Sequence, residues 1–168
     1  MFFAVGMRFY AGAMLLLVCH AFYKALLFLT AGNVLHGLRD EQDMRRMGGL
    51  RHDMPLSTVW FAIGALSLAG IPPLAGFWGK LYVFIAAVEA RLFWPAILGV
   101  LASVVASYYY LRIVKVMYFD EGTEALDPTA FSVNRVVAFA AAVLVAVFSL
   151  APQPLSVVAA AAAKGLFP

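Results

Sequence analysis

Ser67-Leu68-Ala69-Gly70-Ile71-Pro72-Pro73-Leu74-Ala75-Gly76-Phe77-Trp78-Gly79-Lys80 is the stretch that decides how this chain folds. Two adjacent prolines remove two backbone donors and clash with the preceding turn, so a helix cannot run through them unbroken. Yet the flanks are apolar: 14 residues before the break (56–69) and 12 after it (77–88). A bilayer crossing needs about 20 mostly apolar residues at about 1.5 Å each. Neither flank reaches that alone, so the segment 56–88 reads as one span with an unwound middle at 71–76.

Working outward, three further apolar runs carry the same signature. Helices are expected at 11–36, 92–118 and 131–150, which with 56–88 gives an all-α integral membrane protein of about four transmembrane helices in a single domain, 1–168. Residues 1–7 are too short to span, and Met1 to Val5 has no basic leader of a secretory signal. Between the first two spans lies a charged loop with Arg39, Asp40, Glu41, Asp43, Arg45, Arg46, Arg51 and Asp53, turning at Gly48-Gly49. An acidic loop (Asp120, Glu121, Glu124, Asp127, Pro128) precedes the last span. Pro152 and Pro154 then interrupt the chain before an Ala-rich tail, 156–164, that can be helical.

Composition agrees. Of 168 residues 64% are hydrophobic and 12% charged, with a mean hydropathy of +0.90. Soluble domains are roughly 45–50% apolar and about 25% charged, and a chain this size has too little interior to hide the excess. A soluble enzyme domain, a disordered chain and a nucleic-acid binder are excluded. The net charge of +3 reflects basic loops: seven basic residues fall on the side of Gly48 (Arg39, Arg45, Arg46, Arg51, Arg112, Lys115, Arg135) against Arg8, Arg91 and Lys164 on the other, which places the Gly48 loop in the cytoplasm. Tyr108-Tyr109-Tyr110 beside Arg112 fits an aromatic belt at that face. The lone Cys19 lies in an apolar run and is expected to pack as a small hydrophobe.

Two of the twelve Lys and Arg residues remain, Lys24 and Lys80, both inside apolar segments. A lysine at mid-bilayer costs about 2.5–3.5 kcal/mol, and such residues mark ion or proton pathways or pair with a carboxylate that fixes helix packing. His20 is four residues before Lys24, on the same helix face, so the two can form a proton relay. Lys80 follows the break, nine residues before Glu89, where it can serve an ion or proton path or snorkel to the interface. Unwound backbone is tolerated in a membrane only where protein or water satisfies it, and broken helices carry many transport sites. Gly70, Pro72, Pro73 and Gly76 therefore define a candidate helix-break site; a kink that only aids packing is the alternative. The sequence has no metal-ligand spacing or nucleotide loop.

Cys19-His20-Ala21-Phe22-Tyr23-Lys24-Ala25-Leu26-Leu27-Phe28-Leu29, with Glu41-Gln42-Asp43-Met44-Arg45-Arg46-Met47-Gly48-Gly49-Leu50-Arg51, resembles the antiporter-like subunit L of respiratory complex I, the NADH-quinone oxidoreductase. The stretch from Ser67 through Lys80 to Phe84, and Ala106-Ser107-Tyr108-Tyr109-Tyr110-Leu111-Arg112-Ile113-Val114-Lys115, resemble the antiporter-like subunit N. The resemblance implies the C-terminal part of a proton-translocating subunit in the bacterial inner membrane, with the other membrane subunits of complex I and the lipid bilayer as partners. It implies that Lys24, His20 and Lys80 belong to the proton path. The position one turn before His20, a second histidine in the L-type pattern, is Leu16. The NADH, flavin, iron–sulfur and quinone sites belong to other subunits of that assembly, so no cofactor is expected here. A multi-subunit cation/proton antiporter shares these motifs, and a non-catalytic membrane scaffold is the third reading.

Overall fold

The computed structural model describes residues 1–122 and 134–166. Among them every regular element is helical. A short helix α1 (Phe2–Gly6) leads into α2 (Tyr10–Gly37), which is followed by a 3₁₀ turn (Met44–Arg46) and α3 (Leu50–Asp53). Then come α4 (Pro55–Ala69), α5 (Ala75–Glu89), α6 (Phe93–Phe119), α7 (Asn134–Leu150) and α8 (Gln153–Leu166). The expected helices 11–36, 56–88 and 92–118 match α2, the α4–α5 pair and α6 within a residue or so. The expected start of the last helix, 131–133, and Glu124, Asp127 and Pro128 of the acidic loop lie outside the described residues.

Two helices, α2 and α6, are long and apolar enough to cross a membrane alone, and α7 with α8 makes a third candidate bent by 93°. The tail is thus a helix in its own right, turned sharply away at Pro152. The halves α4 and α5 have 15 residues each, about 22 Å apiece at the helical rise and short of a 30 Å hydrocarbon core.

The long helix α2 is the centre of the bundle, packed by α4, α5, α7 and α8, while α6 packs mainly on α4. Leu15, Cys19, Tyr23 and Leu26 of α2 meet Ala138, Ala141, Ala142 and Val145 of α7 and Leu155 and Ala159 of α8 in one apolar cluster. Small residues on α7 let the backbones approach, as in membrane bundles generally. Cys19 is 2% exposed and free, a core residue as its apolar setting implies. A second cluster (Leu27, Val34, Phe61, Ala65, Met117) joins α2, α4 and α6.

The loop between α2 and α4 holds more structure than its polarity suggests. Asp43 caps the 3₁₀ turn by accepting the Arg45 backbone N–H at 3.0 Å, and pairs with the Arg45 side chain at 3.1 Å. Gly49, at φ +71°, starts α3 and donates its N–H to the Asp120 carbonyl at 2.7 Å, tying the loop to the end of α6. The Arg45 side chain and its backbone N–H hold the Asp43 carboxyl below its ordinary value. The Asp43 N–H, with Arg46, does the same for Glu41.

Candidate functional site at the helix break

The last four carbonyls of a helix have no partner within it. At the end of α4 each finds one. Gly70, at φ +80°, turns the chain left-handed, a conformation that costs other residues about 1–2 kcal/mol. The Gly70 and Ile71 N–H groups donate back to Leu66, both at 3.1 Å, and Gly70 also to Ser67 at 3.0 Å, closing the helix with a glycine cap. The Leu68 and Ala69 carbonyls remain, and Lys80 of α5 supplies their donor. Its Nζ donates to Leu68 at 2.6 Å and Ala69 at 3.3 Å. The third N–H reaches Ser103 Oγ of α6 at 2.5 Å. An ammonium has three donors, and all three are used here. A cation at a helix C-terminus also meets the negative end of the helix dipole.

The restart of the chain is equally built. The Gly76 N–H donates to Ser67 Oγ at 3.1 Å, and a Cβ on Gly76 would overlap the Ser67 carbonyl. Trp78 Nε1 donates to the Pro73 carbonyl at 3.2 Å and to Ser149 of α7 at 3.3 Å. Within the unwound stretch, 70–74, the Ile71 carbonyl accepts from the Leu74 N–H at 3.0 Å and the Leu74 carbonyl from the Phe77 N–H at 2.9 Å, while Ile71, Pro72 and Pro73 are exposed.

Lys24 occupies different ground. It sits at the midpoint of α2, where the backbone carbonyls are engaged in the helix, and only side chains are left to meet it. Its Nζ donates to Tyr110 Oη of α6 at 3.4 Å and lies 4.9 Å from the Phe28 ring centroid. His20 Nδ1 is 3.0 Å from Tyr23 Oη, with the two rings edge-on. So Lys24 and His20 share a helix face but hydrogen-bond to different tyrosines. Among the described residues no carboxylate pairs with Lys24 or Lys80. Tyr110 thus meets Lys24, about 14 Å before the end of α6 at the helical rise.

Ser103 and Ser107 were not singled out by the sequence, and Tyr110 only as one of three belt tyrosines. Their signal is hydroxyls at i, i+4 and i+7, one face of α6.

The structure is a helical membrane domain with one lysine held at a broken helix and a second near the midpoint of a long apolar helix. The chain belongs to the family described as NADH:quinone oxidoreductase/Mrp antiporter, transmembrane, which matches residues 1–106. NADH-quinone oxidoreductase subunit N of Paramagnetospirillum magneticum is 46% identical over 97% of this chain and 32% of that protein; that of Rhodospirillum rubrum is 42% identical over 96% and 32%. NADH-ubiquinone oxidoreductase chain 5 of Acanthamoeba castellanii is 45% identical over 71% of this chain and 18% of that protein. A chain in the structure of respiratory complex I from Thermus thermophilus with bound aureothin superposes with a TM-score of 0.65 and 28% identity, over 87% of this chain and 36% of that one. The chain spans about a third of the length of the subunit N relatives it matches. Their similarity runs across nearly all of it, the L-like first third included.

Proposed function

We propose that this chain is the C-terminal part of an antiporter-like membrane subunit of an NADH-quinone oxidoreductase, and that it carries protons through Lys24 and Lys80, with His20 in the relay. The observation that carries the reading is Lys80 bound to the free Leu68 and Ala69 carbonyls at the break, with no carboxylate of the described residues to fix its charge. A lysine held by neutral acceptors can give up and regain a proton without leaving an orphan counter-charge. Lys24 at mid-depth with a hydroxyl neighbour meets the same condition. The relatives named NADH-quinone oxidoreductase subunit N support the assembly, and their bacterial sources support the inner membrane as its place. Its partners are then the other membrane subunits and the lipid around α6.

The family description also names Mrp antiporters, so a cation/proton antiporter subunit is the second reading. One experiment separates them. In membrane vesicles containing the assembled complex, Lys80→Ala lowers the number of protons moved per electron while quinone reduction under uncoupled conditions persists. Unchanged proton movement in that variant sinks the proposal, and transport that requires sodium moves the assignment to the antiporter.

A further inference from the structure

We infer that the hydroxyls of Ser103, Ser107 and Tyr110 on one face of α6 conduct protons between Lys80 and Lys24. This rests on the proton-transfer reading above and names the residues that join its two lysines. Each end of the stripe touches one lysine: Ser103 Oγ accepts from Lys80 at 2.5 Å, and Tyr110 Oη accepts from Lys24 at 3.4 Å. The middle residue belongs to the same network. Ser107 Oγ lies 3.3 Å from the Ala69 carbonyl that Lys80 also binds, and 2.7 Å from the Ser103 carbonyl. All three are half-buried, while Val104, Val105, Ala106, Tyr108 and Tyr109 around them are exposed.

The chemistry separates these hydroxyls from the other groups on Lys80. A backbone carbonyl accepts a hydrogen bond but has no proton to pass on. A hydroxyl has one O–H and two lone pairs, so it can take a proton on one side as it releases its own on the other. Neighbouring hydroxyls of the stripe are four and three residues apart, about 6 Å and about 4.5 Å along the axis at the helical rise, longer than a hydrogen bond, so water molecules are the co-reactants that bridge the steps. In the transfer, Lys80 gives one N–H proton to Ser103 Oγ and the Ser103 proton passes to water. Water and Ser107 repeat the exchange. Tyr110 receives a proton from water and hands its own to the neutral Lys24 amine. Lys80 ends neutral, Lys24 charged, and every hydroxyl and water is restored.

The stripe has a role that packing does not supply, and hydroxyl-only variants test it. Tyr110→Phe keeps the ring that lies against Lys24 and removes only the O–H. In the assembled complex, Tyr110→Phe and Ser107→Ala are expected to lower the protons moved per electron as far as Lys24→Ala does, with quinone reduction in uncoupled vesicles and the amount of assembled complex unchanged. Ser103→Thr and Ser107→Thr, which keep a hydroxyl, are expected to retain the wild-type ratio. A wild-type ratio in Tyr110→Phe and Ser107→Ala, with Lys24→Ala impaired, overturns the stripe and leaves the lysine reading standing. A wild-type ratio in Lys24→Ala overturns the lysine reading itself.

Discussion

Lys80 and Lys24 are both lysines in apolar helices, yet one is held by backbone and the other by side chains. At the break, the end of α4 offers Leu68 and Ala69 carbonyls, and Lys80 fills its three donor positions with them and Ser103. In the middle of α2 the helix keeps its carbonyls for itself, so Lys24 relies on one hydroxyl and aromatic rings from its own helix and α6. The contrast teaches how one residue type is housed at two depths of order. A broken helix makes a rigid cation site from backbone, whereas an intact helix makes a loose one that depends on its neighbours.

The largest expected effect comes from filling the break. Gly76→Ala drives a Cβ into the Ser67 carbonyl, and overpacking of this kind costs about 1–3 kcal/mol. Gly32→Ala in α2 meets no atom within 4 Å, and replacing a mid-helix glycine there should be neutral or stabilise by up to about 1 kcal/mol. Thermal unfolding of the two variants in detergent should move in opposite directions or leave Gly32→Ala unmoved; equal losses would erase the distinction between the regions.

Next in size is Gly70→Ala. It forces a side chain into the left-handed region at φ +80° and brings a Cβ to 3.1 Å from Lys80 Cδ. The backbone term is about 1–2 kcal/mol, and proton movement should fall with stability because the same glycine shapes the Lys80 site. A variant that loses stability but keeps wild-type proton movement per electron would show that the cap and the lysine are independent.

The smallest effect lies outside both regions, in the loop that joins α2 to α4. Asp43 and Glu41 are held below their ordinary values of 3.8 and 4.5. Depressed carboxylates contribute stability that is full above those values and is lost as pH falls through the lower, folded ones. Both groups are only partly buried, in a surface loop, so the effect is local: amide exchange at Arg45 and Arg46, corrected for its intrinsic pH dependence, should be unchanged from pH 7 to 5 and rise on further acidification. No rise would mean that the 3₁₀ turn does not depend on these carboxylates.

Much of this comparison was legible before any coordinates. Pro72-Pro73 between Gly70 and Gly76 announces a break because the chemistry of proline forbids a continuous ladder, and Lys24 and Lys80 stand out because charge is costly in apolar runs. What faces each lysine was not legible. The apolar face pattern of α6 runs nearly all round, so nothing in its sequence says which side meets α4 and α5; only packing turns Ser103, Ser107 and Tyr110 inward. Tyr110 shows this most clearly: the three tyrosines beside Arg112 read alike in the sequence, yet Tyr108 and Tyr109 are exposed while Tyr110 meets Lys24. The 93° turn between α7 and α8 was marked by Pro152 and Pro154, but its angle is set by how α8 packs back on α2.

The central claim is that the two lysines exchange protons and do not merely supply fixed charge. Lys24→Arg tests it most directly, because a guanidinium keeps the charge and hardly ever deprotonates. Measured in the assembled complex as protons moved per electron, with assembly checked alongside, this variant should be impaired as Lys24→Ala is. Full proton movement with arginine at that position would show that a fixed positive charge is enough, and would contradict the account.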